Sequence, residues 1–221
     1  MKLLENPLFK NLDQFLLSDI KNNVALKFVK AKEIIFDEED FLNNVFYILK
    51  SGFVILTKLN NHGNETGLVI KYVGDEIGLL NAVGNMQTYT RATAVDDCEL
   101  FVFNEKLTSK LLSSNNFTLN LLQKAFYKIR INQNSITSLS LNIASKKILF
   151  QILRISIFDK EKKIRTLHNK ISQNHIASFS GVSRETVSRE INNFKSLGIL
   201  YLDNDKNVIL DDLRAKKYLN N

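Results

Sequence analysis

The segment GVSRETVSREINNF, residues 181–194, crowds four side chains of recognisable chemistry together: Arg184, Glu185, Ser188 and Arg189. On a helix these share one face, and Val187, Ile191 and Phe194, spaced four and three apart, share another. The apolar face is made for burial. The polar face offers two guanidinium forks, a hydroxyl and a carboxylate to something outside the protein. The major groove of DNA admits a helix and shows each base pair as a distinct donor and acceptor pattern. Arg matches the two acceptors of guanine, and Glu accepts from the amino group of cytosine. Each good contact of this kind is worth about 1–3 kcal/mol of discrimination. Ser183 and Thr186, with Lys146, Lys147 and Lys170, are candidates for phosphate contacts, which position a protein without reading sequence. The plainer alternative is a surface helix on which Glu185 and Arg189 pair at i, i+4 for about 0.2–0.5 kcal/mol.

The flanking sequence favours DNA. SQNHIASFSGVSRETVSREINNFKSLGIL, residues 172–200, reads helix, turn, helix. Ala177, Gly181 and Val187 fall at the fifth, ninth and fifteenth positions of such a unit. A small Ala lets the two helices approach, and Gly181 supplies a turn conformation that is costly for other residues. Ser183 is the expected cap of the second helix. GILYLDNDKNVIL then reads as two strands around the turn DNDKN, a small wing. Upstream, LNIASKKILFQILRISIF reads as helix and DKEKKIR as a charged turn.

Charge is distributed to match. Residues 1–138 hold 15 Lys and Arg against 15 Asp and Glu, whereas residues 139–221 hold 15 against 8, so the whole net charge of +7 lies in the last part of the chain. A basic module joined to a neutral one is the pattern of a nucleic-acid-binding unit with a partner domain.

The neutral part is organised differently. Residues 3–22 read as short helices packed through Leu3, Leu4, Leu8, Phe9, Leu12, Leu16 and Leu17. From about residue 24 to residue 104, short runs rich in Val, Ile, Phe and Tyr alternate with polar turns such as NNHGNE and VGDE. Strands at that spacing predict an antiparallel β-sandwich or jelly roll. Leu119, Leu122, Phe126, Ile129, Gln133 and Ile136 then recur at alternating spacings of three and four, the stripe of a long helix that either lies on the sandwich or, as expected here, pairs with a second copy. Lys124, Lys128 and Arg130 are expected to keep its other faces wet, and Gln133 to help fix register.

Several chemistries are excluded or disfavoured. The single cysteine, Cys98, rules out an intramolecular disulfide and a cysteine-based iron–sulfur or zinc site within one chain. It reads as a small residue half-buried in a strand. No apolar run approaches the roughly 18 residues a membrane span needs, and MKLLENPLFKNL lacks the apolar centre of a signal peptide. The expectation is a cytoplasmic protein with no membrane partner. There is no nucleophile–base constellation, no Gly-rich phosphate loop and no metal cluster, so an enzyme is not expected. A small-molecule-binding module that regulates a protein partner remains the alternative class, and DNA binding would decide between the two.

SRETVSREI is similar to the recognition helix of the Crp/Fnr superfamily of bacterial transcription regulators. FYILKSGFVILTK, YVGDEIGLL and TRATAVDDCELFVF resemble the strands and phosphate-binding cassette of that family's sensor domain. The likeness spans residues 10–215. It implies an α+β protein with a cyclic-nucleotide-binding-like effector domain over residues 1–115. A dimerisation helix over 116–138 and a winged helix-turn-helix over 139–221 follow. It places Arg184, Glu185 and Arg189 at base-reading positions, and Glu185, Ser188 and Arg189 also satisfy the Glu-x-x-Ser-Arg pattern of the Fnr branch. The implied partners are double-stranded DNA, as a palindrome with GA-core half-sites of the TGTGA or TTGA type, a second copy of the chain, and RNA polymerase where the protein activates. Glu190 departs from the family's usual apolar residue and is expected at the helix edge.

The resemblance also implies an effector pocket, for which Glu76, Gly78, Leu79, Leu80, Arg91, Leu122 and Phe126 are candidates. It argues against cyclic AMP. Leu79 stands where the family's ribose-binding Glu would be, and NAVGNMQTYT, residues 81–90, contains no cation for the cyclic phosphate. The family's iron–sulfur cluster is excluded, because its N-terminal cysteines are absent. Haem stays open as a cofactor: its axial ligand would come from His62, Met86, Cys98, a Lys or the N-terminal amine. His168 and His175 fall in the DNA-binding part, and His62 in an exposed turn.

Overall fold

The computed structural model describes residues 3–59, 65–139 and 143–220, with backbone alone for 131–139. His62 and its hairpin turn lie outside the described residues. The chain divides into two compact units, residues 1–64 with 68–131, and residues 65–67 with 132–221.

In the first unit, short 3₁₀ turns at Leu3–Glu5 and Pro7–Phe9 lead into α1 (Gln14–Asn23), which starts where the Asp13 carboxylate accepts the Leu16 N–H at 2.8 Å. Strands β1 (Ala25–Val29), β2 (Ile34–Phe36), β3 (Phe46–Ser51), β4 (Val54–Leu59), β5 (Glu65–Lys71) and β6 (Glu76–Ile77) follow. After helix α2 (Leu79–Gly84) come β7 (Arg91–Ala94), β8 (Cys98–Phe103), α3 (Glu105–Leu112) and α4 (Asn115–Leu139). The strands form two sheets, in orders β1-β8-β3-β6 and β2-β7-β4-β5.

Alternation along the strands builds two cores. Leu49, Ile77 and Leu100 of the first sheet pack with Phe36, Val54 and Ala92 of the second, so the sheets face each other as the sandwich requires. The opposite face of the first sheet sends Phe46, Ile48 and Phe103 into a cluster with Leu8, Phe9, Leu16, Ile20, Leu107, Leu111 and Phe117 from the helical segments. Phe46 and Phe103 stack with ring centroids 4.4 Å apart. The first sheet is thus covered on both faces. Its apolar strands do not show a simple inside–outside alternation.

The second unit comprises α5 (Ala144–Arg154), β9 (Ile157–Asp159), β10 (Ile164–Leu167), α6 (Gln173–Ser180), α7 (Arg184–Ser196), β11 (Leu200–Leu202), β12 (Val208–Asp211) and α8 (Asp212–Asn220). Its four strands pair antiparallel in the order β11-β12-β10-β9. Ile148, Leu149 and Ile152 of α5, Ile176 and Phe179 of α6, and Val187, Ile191 and Phe194 of α7 are all buried. The buried carboxylate of Asp212 accepts from Arg165 Nε at 2.6 Å, and the same guanidinium donates to the Leu153 carbonyl at 3.1 Å.

One expectation fails here. The helix read through Phe158 stops at Arg154; Ile157, Phe158 and Asp159 form β9 instead, and the charged turn, at residues 160–163, joins it to β10. Asp159 organises that turn by accepting the N–H groups of Glu161 and Lys162 at 2.9 and 3.0 Å, and Lys163 takes up the left-handed conformation at φ 54°.

Candidate nucleic-acid interface

Two helix ends position the site. The Ser172 hydroxyl accepts the His175 N–H at 3.2 Å while His175 Nδ1 accepts the Ser172 N–H at 3.2 Å, a reciprocal cap that starts α6. Burial holds the His175 imidazole below its ordinary pKa, in the neutral form this acceptor role needs. Gly181 ends α6 in the left-handed conformation, φ 66°. The Ser183 hydroxyl then accepts the Thr186 N–H at 3.2 Å and lies 3.0 Å from the Thr186 hydroxyl, which starts α7. Ser183 and Thr186 are therefore part of the cap.

With Val187, Ile191 and Phe194 turned inward, α7 has no freedom to rotate. Arg184, Glu185, Ser188 and Arg189 line a concavity of about 510 Å³ together with Gln173 and Asn192. The Glu185–Arg189 pair of the plainer reading is not among the ion pairs of the described residues. Arg189 Nε instead lies 3.6 Å from Glu190, with the Arg189 side chain 72% exposed. Glu190 sits half-buried at the helix edge, where it also accepts from the Asn193 amide at 3.3 Å. The Glu185 carboxyl is held below the usual range by its own N–H and the Ser183 hydroxyl at the helix start, so it is an acceptor at neutral pH. Two forked cations and an ionised carboxylate on one open helix face can exchange solvent for base edges at little cost in internal contacts.

Gln173 and Asn192 were not anticipated. Asn192 follows Ser188 by one helical turn, a signal that helical spacing does contain. Gln173 comes from the start of α6 and carries no such signal. Lys146 and Lys147 lie half-buried in the first turn of α5, and Lys170 is exposed before α6, its N–H donated to His168 Nδ1 at 3.2 Å.

The seam candidates on α4 behave as a set. Leu119, Leu122, Phe126 and Ile129 are all exposed, Phe126 by 68%. The backbone at Gln133 and Ile136 continues the helix, and their side chains lie outside those described. Lys124 and Lys128 do not wet the far faces as expected: both reach the buried carboxylate of Glu76.

The effector-pocket candidates stand in different surroundings: Glu76 is buried against Lys124 and Lys128 of α4, and Leu122 and Phe126 are exposed on that helix. Leu79 is buried in the core beside Phe46 and Ile48, and Leu80 points outward. Gly78 adopts φ 76°, and a Cβ there would lie 2.5 Å from Leu42. Arg91 donates through Nε and Nη2 to the two Asp37 oxygens at 2.8 and 2.9 Å, a bidentate tie between β7 and the segment after β2. The Cys98 thiol is buried, donates to the Phe53 or Asp96 carbonyl at 3.3 or 3.1 Å, and is pushed up in pKa by burial. Met86 is exposed after α2. Among the described residues no helix is long and apolar enough to cross a membrane.

Two family models match the chain: a cyclic nucleotide-binding domain over residues 26–115 and a Crp-like helix-turn-helix domain over residues 148–215. The anaerobic regulatory protein of Bacillus subtilis (strain 168) is 23% identical over 198 residues, 88% of this chain and 83% of that one. The structure of FixK2 from Bradyrhizobium japonicum superposes with a TM-score of 0.74 at 18% identity, covering 88% of this chain and 96% of that one. A CooA mutant from Carboxydothermus hydrogenoformans gives a TM-score of 0.69 at 19% identity, covering 99% and 96%.

Proposed function

The chain is a Crp/Fnr-type transcription regulator with a helix-turn-helix DNA-binding domain, and from that premise we propose that it is a homodimer reading a palindrome with GA-core half-sites. One observation carries the proposal: α7 buries its apolar stripe and turns Arg184, Glu185, Ser188 and Arg189 outward around a single concavity. Arg184 and Arg189 supply forks for guanine O6 and N7, and Glu185 accepts from cytosine N4. Ser188 takes either role. Ser183 and Thr186, at the helix start, approach phosphate.

The exposed stripe Leu119, Leu122, Phe126 and Ile129 supports pairing of α4 with its copy. A twofold pair sets two recognition helices about 34 Å apart, one turn of the duplex. An effector bound in the sandwich unit changes DNA affinity only by the difference in its affinity for the two packings of that seam.

A cyclic nucleotide does not fit the residues present. Leu79 has no acceptor for a ribose hydroxyl and is turned into the core, and Arg91 is committed to Asp37. The effector is therefore of another class. The protein acts in the cytoplasm, and where it activates, RNA polymerase is its partner.

Footprinting on a GA-core palindrome, with sedimentation to weigh the complex, tests the proposal. The expected result is a two-chain complex protecting both half-sites. Equal affinity for scrambled DNA, or one chain per site, would falsify it.

A further inference from the structure

The concavity in front of α7 holds two side-chain amides besides the four groups already assigned to DNA, those of Gln173 and Asn192. They stand under different conditions. Gln173 is the first residue of α6 and is half-buried. In a helix-turn-helix unit the first helix crosses the sugar–phosphate backbone, so Gln173 faces the phosphate side of the groove, where contacts position without reading sequence. Asn192 is exposed and is the last residue of α7 to line the concavity. At about 100° per residue it falls between Ser188 and Glu185 around the helix axis, in the middle of the reading face.

The neighbouring Asn193 points elsewhere and is occupied, its amide donating to Glu190 at 3.3 Å. Among the described residues the Asn192 amide has no such partner, so turning it to a new one breaks no internal contact. Its chemistry differs from that of the four groups beside it. The amide carries an acceptor and a donor side by side, the pattern complementary to adenine N6 and N7. Guanine offers two acceptors instead, and one of them would face the amide oxygen. Asn192 lies four residues beyond Ser188, about 6 Å along the axis. That is about two base-pair steps of 3.4 Å, enough to carry it past the pairs that the start of α7 meets.

We propose that Asn192 is a further specificity-determining residue, which reads an A·T pair flanking the GA core by accepting from adenine N6 through Oδ1 and donating to N7 through Nδ2. The inference rests on α7 being the base-reading helix, and it adds one position to the half-site that Arg184, Glu185 and Arg189 read.

Competition binding by the full chain to GA-core palindromes, with the pairs flanking the core exchanged one at a time, is the test. The wild type should favour A·T over G·C about tenfold per half-site at one flanking position. Asn192→Ala should erase that preference and leave the preferences within the core, and the melting temperature, unchanged. Asn192→Arg, which supplies a fork for guanine O6 and N7, should turn the preference to G·C at the same position. No flanking preference in the wild type, a preference that survives Asn192→Ala, or a uniform loss on every sequence overturns the proposal. If Arg184→Ala and Arg189→Ala relax the core while Asn192→Ala relaxes nothing, this inference alone fails. If none of the three alters any preference, the reading of α7 fails with it.

Discussion

The outer face of α7 and the cluster around Glu76 use the same side-chain chemistry under opposite conditions. On α7 the cations are exposed, and Arg189 has only a loose partner at 3.6 Å. Around Glu76 the carboxylate is sealed, with two lysines in direct contact. An exposed pair contributes about 0–1 kcal/mol to stability, so its members are free to change partners. A buried carboxylate that loses its partners, or leaves them behind, costs several kcal/mol. The first arrangement suits reading an external molecule, and the second suits holding two elements in a fixed relation.

The contrast breaks most sharply at Glu76. Glu76→Gln should destabilise the first unit by about 3 kcal/mol, because the buried Lys71 ammonium loses the stronger of the two carboxylates acting on it. Urea unfolding followed by near-ultraviolet circular dichroism measures this. An effect no larger than that of a surface pair would mean the cluster is not sealed in solution.

Acid should produce a loss of similar origin. Burial alone would raise the Glu76 carboxyl, but attraction to Lys71, Lys128 and Lys124 outweighs burial and holds it at about 2, against an ordinary 4.5. A depressed carboxyl stabilises the fold above its unfolded value, and that stability is lost as pH falls from about 4.5 toward 2. The loss is at most about 3 kcal/mol for this group. Lys71 works at the other end. With its pKa at about 8 instead of 10.5, it costs stability below 8, and the cost disappears as pH rises toward 10.5. A pH series of unfolding midpoints should show the acid slope in the wild type and a shallower one in Glu76→Gln.

On α7 the expected effect is one of specificity. Arg184→Ala and Arg189→Ala should each cost about 1–3 kcal/mol at a single base pair and leave the unfolding midpoint nearly unchanged. Binding to half-sites substituted one base at a time measures this. A uniform loss on every sequence would make the side chain a phosphate contact. Ser183→Ala is the smallest of the set. It removes the cap on α7 and should cost about 1 kcal/mol of stability in the second unit, visible as a lowered melting temperature.

Local signals made much of this molecule legible from its residues. Gly181 and Ser183 mark the turn and cap, and the spacing of Val187, Ile191 and Phe194 fixes which face of α7 is hidden. Strand runs and the α4 stripe were equally plain. The β9–β10 hairpin was not, because Ile155, Ile157 and Phe158 prolong the apolar pattern of α5 with no Gly or Pro to stop it. What ends the helix is the pairing of residues 157–159 with 164–166, which only the folded chain provides. The Glu76 cluster was hidden for a related reason. Lys128 and Glu76 are 52 residues apart, and a lysine beside an apolar helical stripe reads as a solvated one. Arg91 was ambiguous for want of its partner Asp37, 54 residues away.

The unequal burial of the two charged regions makes ionic strength a selective control. Added electrolyte screens exposed charges beyond about 8 Å at physiological concentration and reduces the entropy gained when phosphates shed their counterions. The α7 face is subject to both effects, and the sealed carboxylate of Glu76 to neither. Added electrolyte should therefore weaken DNA binding through the α7 face while the ion pairs around Glu76 stay closed.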